Sequence, residues 1–137
     1  MFVINDIELL QRLGKHKILE NLMRHCLLAV SAIRLNDYSF GVRQVIETNP
    51  DIKVMPVDND FETWFTDKRK YLSVSDLSSI YVAFINEGTT LVLSGEDRFL
   101  ISEAKSNRVA YLQFDDFVIR IIKDERILQL YNLIKVA

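Results

Sequence analysis

A chain of 137 residues, 49% hydrophobic and 26% charged, has the composition of one globular domain, able to bury a core without disulfide or metal staples. No apolar run approaches the roughly 18 residues of a membrane span, so no membrane partner is expected. A formal net charge of −2 supplies no global attraction to nucleic acid, so any such binding has to rest on local Lys/Arg patches or on metal ions.

The first run, Met1 to Ile4, is of strand type, and Asn5-Asp6 opens a helix carrying Ile7, Leu9, Leu10 and Leu13. The opening MFVINDIELL lacks a basic region and meets acids at once, which argues against a signal peptide. Gly14 breaks the first helix, and Ile18, Leu19, Leu22 and Met23 define a second, flanked by Lys15, His16, Lys17, Arg24 and His25. His16 and His25 sit among basic residues and read as a solvated face rather than as general bases. Cys26 to Val30 is the second strand; lone Cys26, in an apolar context, reads as a buried thiol in a reducing, cytoplasmic setting.

After Ser31, AIRLNDYSFGVRQVIETN reads as one helix or two short ones, ending near Asn49-Pro50 because proline disfavours helix in the residue before it. Ile52 to Val57 is the third strand, placed at an edge by Pro56. Asp58-Asn59-Asp60 starts a helix with Phe61, Trp64 and Phe65, whose aromatic rings suit a core or a dimer surface. Lys68, Arg69 and Lys70 are expected to be exposed at its end.

Asp76 then stands in the first turn of a helix bearing Leu77, Ile80, Tyr81 and Phe84, closed by Gly88, a residue tolerant of positive φ. Thr89 to Ser94 is a β-branched apolar run of the kind buried on both faces of a parallel sheet. Glu96 and Asp97 follow at once, and Asp97 opens a helix whose Phe99, Leu100, Ile101 and Ala104 are expected to face inward. Val109 to Phe114 is the fifth strand, and Asp115 to Ala137 a closing helical segment, apolar at Phe117 to Ile122 and Ile127 to Val136. Strands alternating with helices favour right-handed βαβ units, hence a three-layer α/β/α sandwich on a mainly parallel five-stranded sheet. No repeat, linker or low-complexity tract divides the chain. An acid just past a strand of such a sheet points toward the common ligand-binding edge.

The segment LSVSDLSSIYVAFINEGTTLVLSGEDRFLISEAKSNRVAYLQFDDFV is similar to the second half of PIN domains: an acid opens a helix, a glycine precedes an apolar strand, and another acid opens the next helix. The spacing from Asp97 through Leu100 and Ala104 to Val109 matches that pattern. FVIND followed by LLQRLGKHKILENL resembles the family's first strand, first acid and helical pair. The likeness covers nearly the whole chain and is strongest from Leu72 to Phe114.

This resemblance implies a metal-dependent nuclease, most often a ribonuclease acting on RNA, and frequently the toxin half of a pair with an antitoxin-like protein partner; a homodimer is expected. Carboxylates from separate strand ends would hold Mg²⁺ or Mn²⁺, since phosphodiester hydrolysis places negative charge on both attacking and leaving oxygens. On this reading Asp6 is the first acid, Asp76 the third and Asp97 the fourth, with Glu96 competing for the last place. The family's second acid stands before a leucine in the helix after strand two, and here that position holds Arg34. A cation opposes metal binding there, although its guanidinium could grip an RNA phosphate; Asp37, one turn on, is the substitute acid, and Ser94 a second RNA contact. Two functions follow: a weakened or altered ribonuclease, and a PIN-like domain that has lost catalysis and serves as an RNA- or protein-binding module.

Each acid also has a purely structural use. Ser73 and Asp76, Ser94 and Asp97, and more loosely Asn5 and Glu8 have capping-box spacing. Their coincidence at three strand-to-helix junctions is what raises a shared site. Other chemistries lack parts: a phosphoacceptor receiver needs a lysine after the last strand, where Asp115-Asp116 stand, and four glycines include no G-x-G-x-x-G loop.

Overall fold

The computed structural model describes residues 1–68 and 71–135. Its strands are β1 (Phe2–Ile4), β2 (Leu28–Ser31), β3 (Ile52–Met55), β4 (Thr90–Leu93) and β5 (Ala110–Gln113). They form one all-parallel sheet in the order β3-β2-β1-β4-β5. Between and after them run α1 (Ile7–Gly14), α2 (Ile18–His25), α3 (Ala32–Leu35), α4 (Phe40–Glu47), α5 (Phe61–Phe65), α6 (Val74–Ile85), α7 (Arg98–Ser106), α8 (Phe114–Ile121) and α9 (Glu125–Lys135). No described helix is long and apolar enough to cross a membrane.

Alternation along the strands divides the core in two. Ile4, Leu28, Val30 and Val92 face the layer of α1, α2, α4, α8 and α9, whereas Val3, Ala29, Leu91 and Leu93 face that of α5, α6 and α7. The central strands are therefore buried on both sides, as their continuous apolar runs predict, and the architecture is the α/β/α sandwich. The chain starts at the middle strand, runs out to β3, then returns to lay β4 on the other flank of β1. That reversal makes the carboxyl ends of β1 and β4 the switch point where α/β sheets place their sites.

The stretch after β2 is two short helices, one of the two forms expected, whereas the closing helical segment is divided in two at residues 122–124. Strand β2 begins at Leu28, leaving Leu27 exposed and Cys26 half-buried; burial pushes the Cys26 thiol up to about 11. Phe84 of α6 is exposed, and so is Phe99, because Leu100 and Ala104 form the inward line of α7 and Phe99 lies about a quarter-turn away. Gly14 is the last residue of α1, as expected, and a Cβ there would stand 2.8 Å from Val45 Cγ1, so glycine also lets α1 approach α4. Gly88 has φ +77°, as its turn requires. Lys68 is half-buried, 4.0 Å from Glu103 and over the Trp64 ring, while Arg69 and Lys70, with Val136 and Ala137, lie outside the described residues.

Buried Tyr81 ties α6 to the loop after β3 by donating its hydroxyl to Asp58. Burial first, and then that bond, push the Tyr81 hydroxyl up to about 12 from an ordinary 10.0. A raised folded-state value means stability that is whole below the ordinary value and is lost as pH rises through the folded one. Wild type is thus expected to lose stability in urea melts between pH 10.0 and about 12, and Tyr81→Phe to flatten that loss.

Candidate functional site

The carboxyl end of β1 delivers Asn5 and Asp6. Asp6 caps α1, its Oδ1 accepting from the Leu9 amide at 3.0 Å. Asn5 is 7% exposed; its Nδ2 donates to Asp76 Oδ1 at 3.0 Å, joining β1 to the first turn of α6 across 71 residues of sequence. Asp76 reaches that place because Ser73 caps α6, accepting the Asp76 amide at 3.0 Å. The carboxylate is then free of capping duty and turns to the neighbouring strand.

From the end of β2 comes Arg34. Ser31 Oγ caps α3 through the Arg34 amide at 3.3 Å and meets Ser78 Oγ of α6 at 2.6 Å, drawing the short helix against α6. The Arg34 side chain is 22% exposed; its Nε donates to the Asn5 carbonyl at 3.0 Å. Its Nη1 lies 3.8 Å from Asp76 Oδ1 and 3.6 Å from Asp37 Oδ2. The guanidinium also stands 5.3 Å from the Tyr38 ring. Burial raises the Tyr38 hydroxyl above its ordinary value; Arg34 opposes the shift, and Asp6, Glu8 and Asp37 add to it. Two acids therefore meet one guanidinium: Asp76 from α6 and Asp37 from just beyond α3.

Among the described residues no hydrogen bond or ion pair joins Asp97 or Glu96 to this group. Asp97 caps its own helix, Oδ1 accepting from the Phe99 amide at 3.0 Å and the Leu100 amide at 3.3 Å, while Glu96 and Ser94 are exposed. The cap of α7 is therefore Asp97 itself, not Ser94; likewise Asp6, not Asn5, caps α1. Ser94 lines a small depression with Gly95, Asp115, Tyr131 and Lys135. There Asp115 accepts from Tyr131 at 2.7 Å, a bond that holds its carboxyl below the usual range, and pairs with Lys135 at 3.2 Å.

Oxygen donors of the type Mg²⁺ prefers do meet near Arg34, including Asn5 Oδ1, which is buried and lacks a partner among the described residues. Yet among those residues no three of His, Cys, Asp and Glu converge as a metal centre would need. The positive charge in the middle of the acids is a side chain of the chain itself. As they stand, these residues do not fit a Mg²⁺ or Mn²⁺ centre.

Sequence reasoning passed over an aromatic pair on the same edge. Tyr71 and Phe99, 62% and 44% exposed, stack at 4.9 Å between centroids and 7° between planes, with the Arg98 guanidinium 5.5 Å from the Phe99 ring. Beside them lies a depression of about 140 Å³ bordered by Lys68, Leu72, Ser102 and Glu103. The sequence signal was an aromatic in the first turn after Asp97, flanked by arginine. Compared with protein-family models, curated proteins and solved structures, the chain matches none.

Proposed function

We propose that this chain is a PIN-like domain that binds single-stranded RNA without cutting it. The observation that carries the reading is Arg34: its guanidinium bridges Asp76 and Asp37 and is held on the Asn5 carbonyl, where the PIN resemblance calls for a carboxylate. A cation ion-paired within the acids meets the electrostatic need that a divalent metal would otherwise meet, and it cannot bind and activate a water as a metal does. Support for RNA comes from the stacked Tyr71 and Phe99, against which a base can lie, with Arg98 beside them for the backbone.

Fluorescence anisotropy of a labelled oligouridine in EDTA is expected to show binding. Phe99→Ala should weaken it by about 1–3 kcal/mol, the worth of one base on an aromatic ring. Incubation with Mg²⁺ or Mn²⁺ should leave the RNA intact. Cleavage abolished both by EDTA and by Asp76→Asn would instead establish the ribonuclease reading, with its need for an antitoxin-like partner.

A further inference from the structure

Strand β5 closes one side of the sheet. It pairs with β4 along Ala110–Gln113, and among the described residues no strand meets its outer edge. In a parallel ladder alternate residues turn their N–H and C=O outward, so this edge carries unpaired backbone groups. Helix α7 overhangs it. Arg98, Ile101, Ser102 and Lys105 recur at helical spacing on one face of α7, and with Tyr111 and Gln113 of β5 they line a groove of about 600 Å³.

We infer that this groove receives an extended, acidic segment of a partner protein, added to the sheet as a strand beside β5. Backbone pairing supplies affinity without regard to sequence, and alternate side chains of the added strand fall under α7. There the half-buried Ile101 and Tyr111 offer apolar contact. The exposed cations Arg98 and Lys105, against the single acid Glu96, select for carboxylates. A second copy of this chain fits less well, because it would bring its own α7, with the same two cations, over the same joint. The inference stands on β5 and α7 alone and does not depend on the fate of the acids around Arg34.

The test titrates ¹⁵N-labelled protein with a hexapeptide alternating Glu and Val, its Lys/Val counterpart, and a Glu/Val peptide N-methylated at alternate residues. The Glu/Val peptide is expected to shift resonances of residues 98–105 and 110–113. Lys105→Glu, an exposed change checked for an unaltered melt, should weaken binding by about tenfold, and N-methylation should abolish it. No shifts up to about 1 mM peptide, a Kd worth only about 4 kcal/mol of binding, would overturn the inference. So would equal binding of the Lys/Val peptide, shifts of residues 110–113 produced by oligouridine, or a wild-type dimer in sedimentation that Lys105→Glu splits.

Discussion

Phe117→Ala is expected to lower the unfolding free energy by about 3–5 kcal/mol, the range for deleting a fully buried aromatic ring. Phe117 has no solvent exposure, and its ring lies 4.9 Å from Phe2 of β1 and 5.8 Å, edge-on, from Phe114. It therefore joins the middle strand to α8 inside a core shared with α1, α2 and α9. The site that remains cannot collapse easily, since strand β1 is held on both flanks by β2 and β4. Domains of ordinary size have only about 5–15 kcal/mol of stability, so the loss should appear in urea as a large drop in midpoint with little change in slope. Phe99→Ala, at an exposed ring, should leave that midpoint nearly unmoved, which separates core from surface.

Arg34→Asp is the second large effect, and it acts on the site. Removing the guanidinium leaves the buried Asn5 carbonyl without its donor, a loss of about 1–3 kcal/mol. It also sets a new carboxylate near Asp76 and Asp37, both of which have lost their cation. Metal-free protein should therefore melt earlier and be rescued by Mn²⁺, which neutralises the cluster from outside. Arg34→Gln removes the charge without adding an acid, and should melt earlier without gaining the rescue. Equal rescue of both variants would mean that the ion binds elsewhere.

The architecture was legible because its signals are local. TTLVLS fits a strand buried on two faces, Pro56 puts β3 at an edge, and Asp6, Asp76 and Asp97 mark helix starts that do lie at the carboxyl edge. Capping-box spacing does not give the caps at Ser94 and Asn5, because an aspartate nearer the helix, three residues on at Asp97 and one at Asp6, itself accepts from first-turn amides. The pairing at the site was not legible. Whether Asp76 would cap its own helix or face Arg34 depends on Ser31 meeting Ser78 and on Asn5 reaching across the sheet, contacts between residues far apart in the chain. Gly14 does end α1, as expected of a glycine, but its close approach to Val45 of α4 is not legible from sequence.

The central claim is that Arg34 supplies in permanent form the positive charge that a metal would bring. Calorimetric titration of wild-type protein with Mn²⁺ tests it most directly. The account predicts no saturable binding tighter than about 1 mM. Saturable binding in the micromolar range that disappears in Asp76→Asn would contradict it, and would return the acids at this edge to a metal.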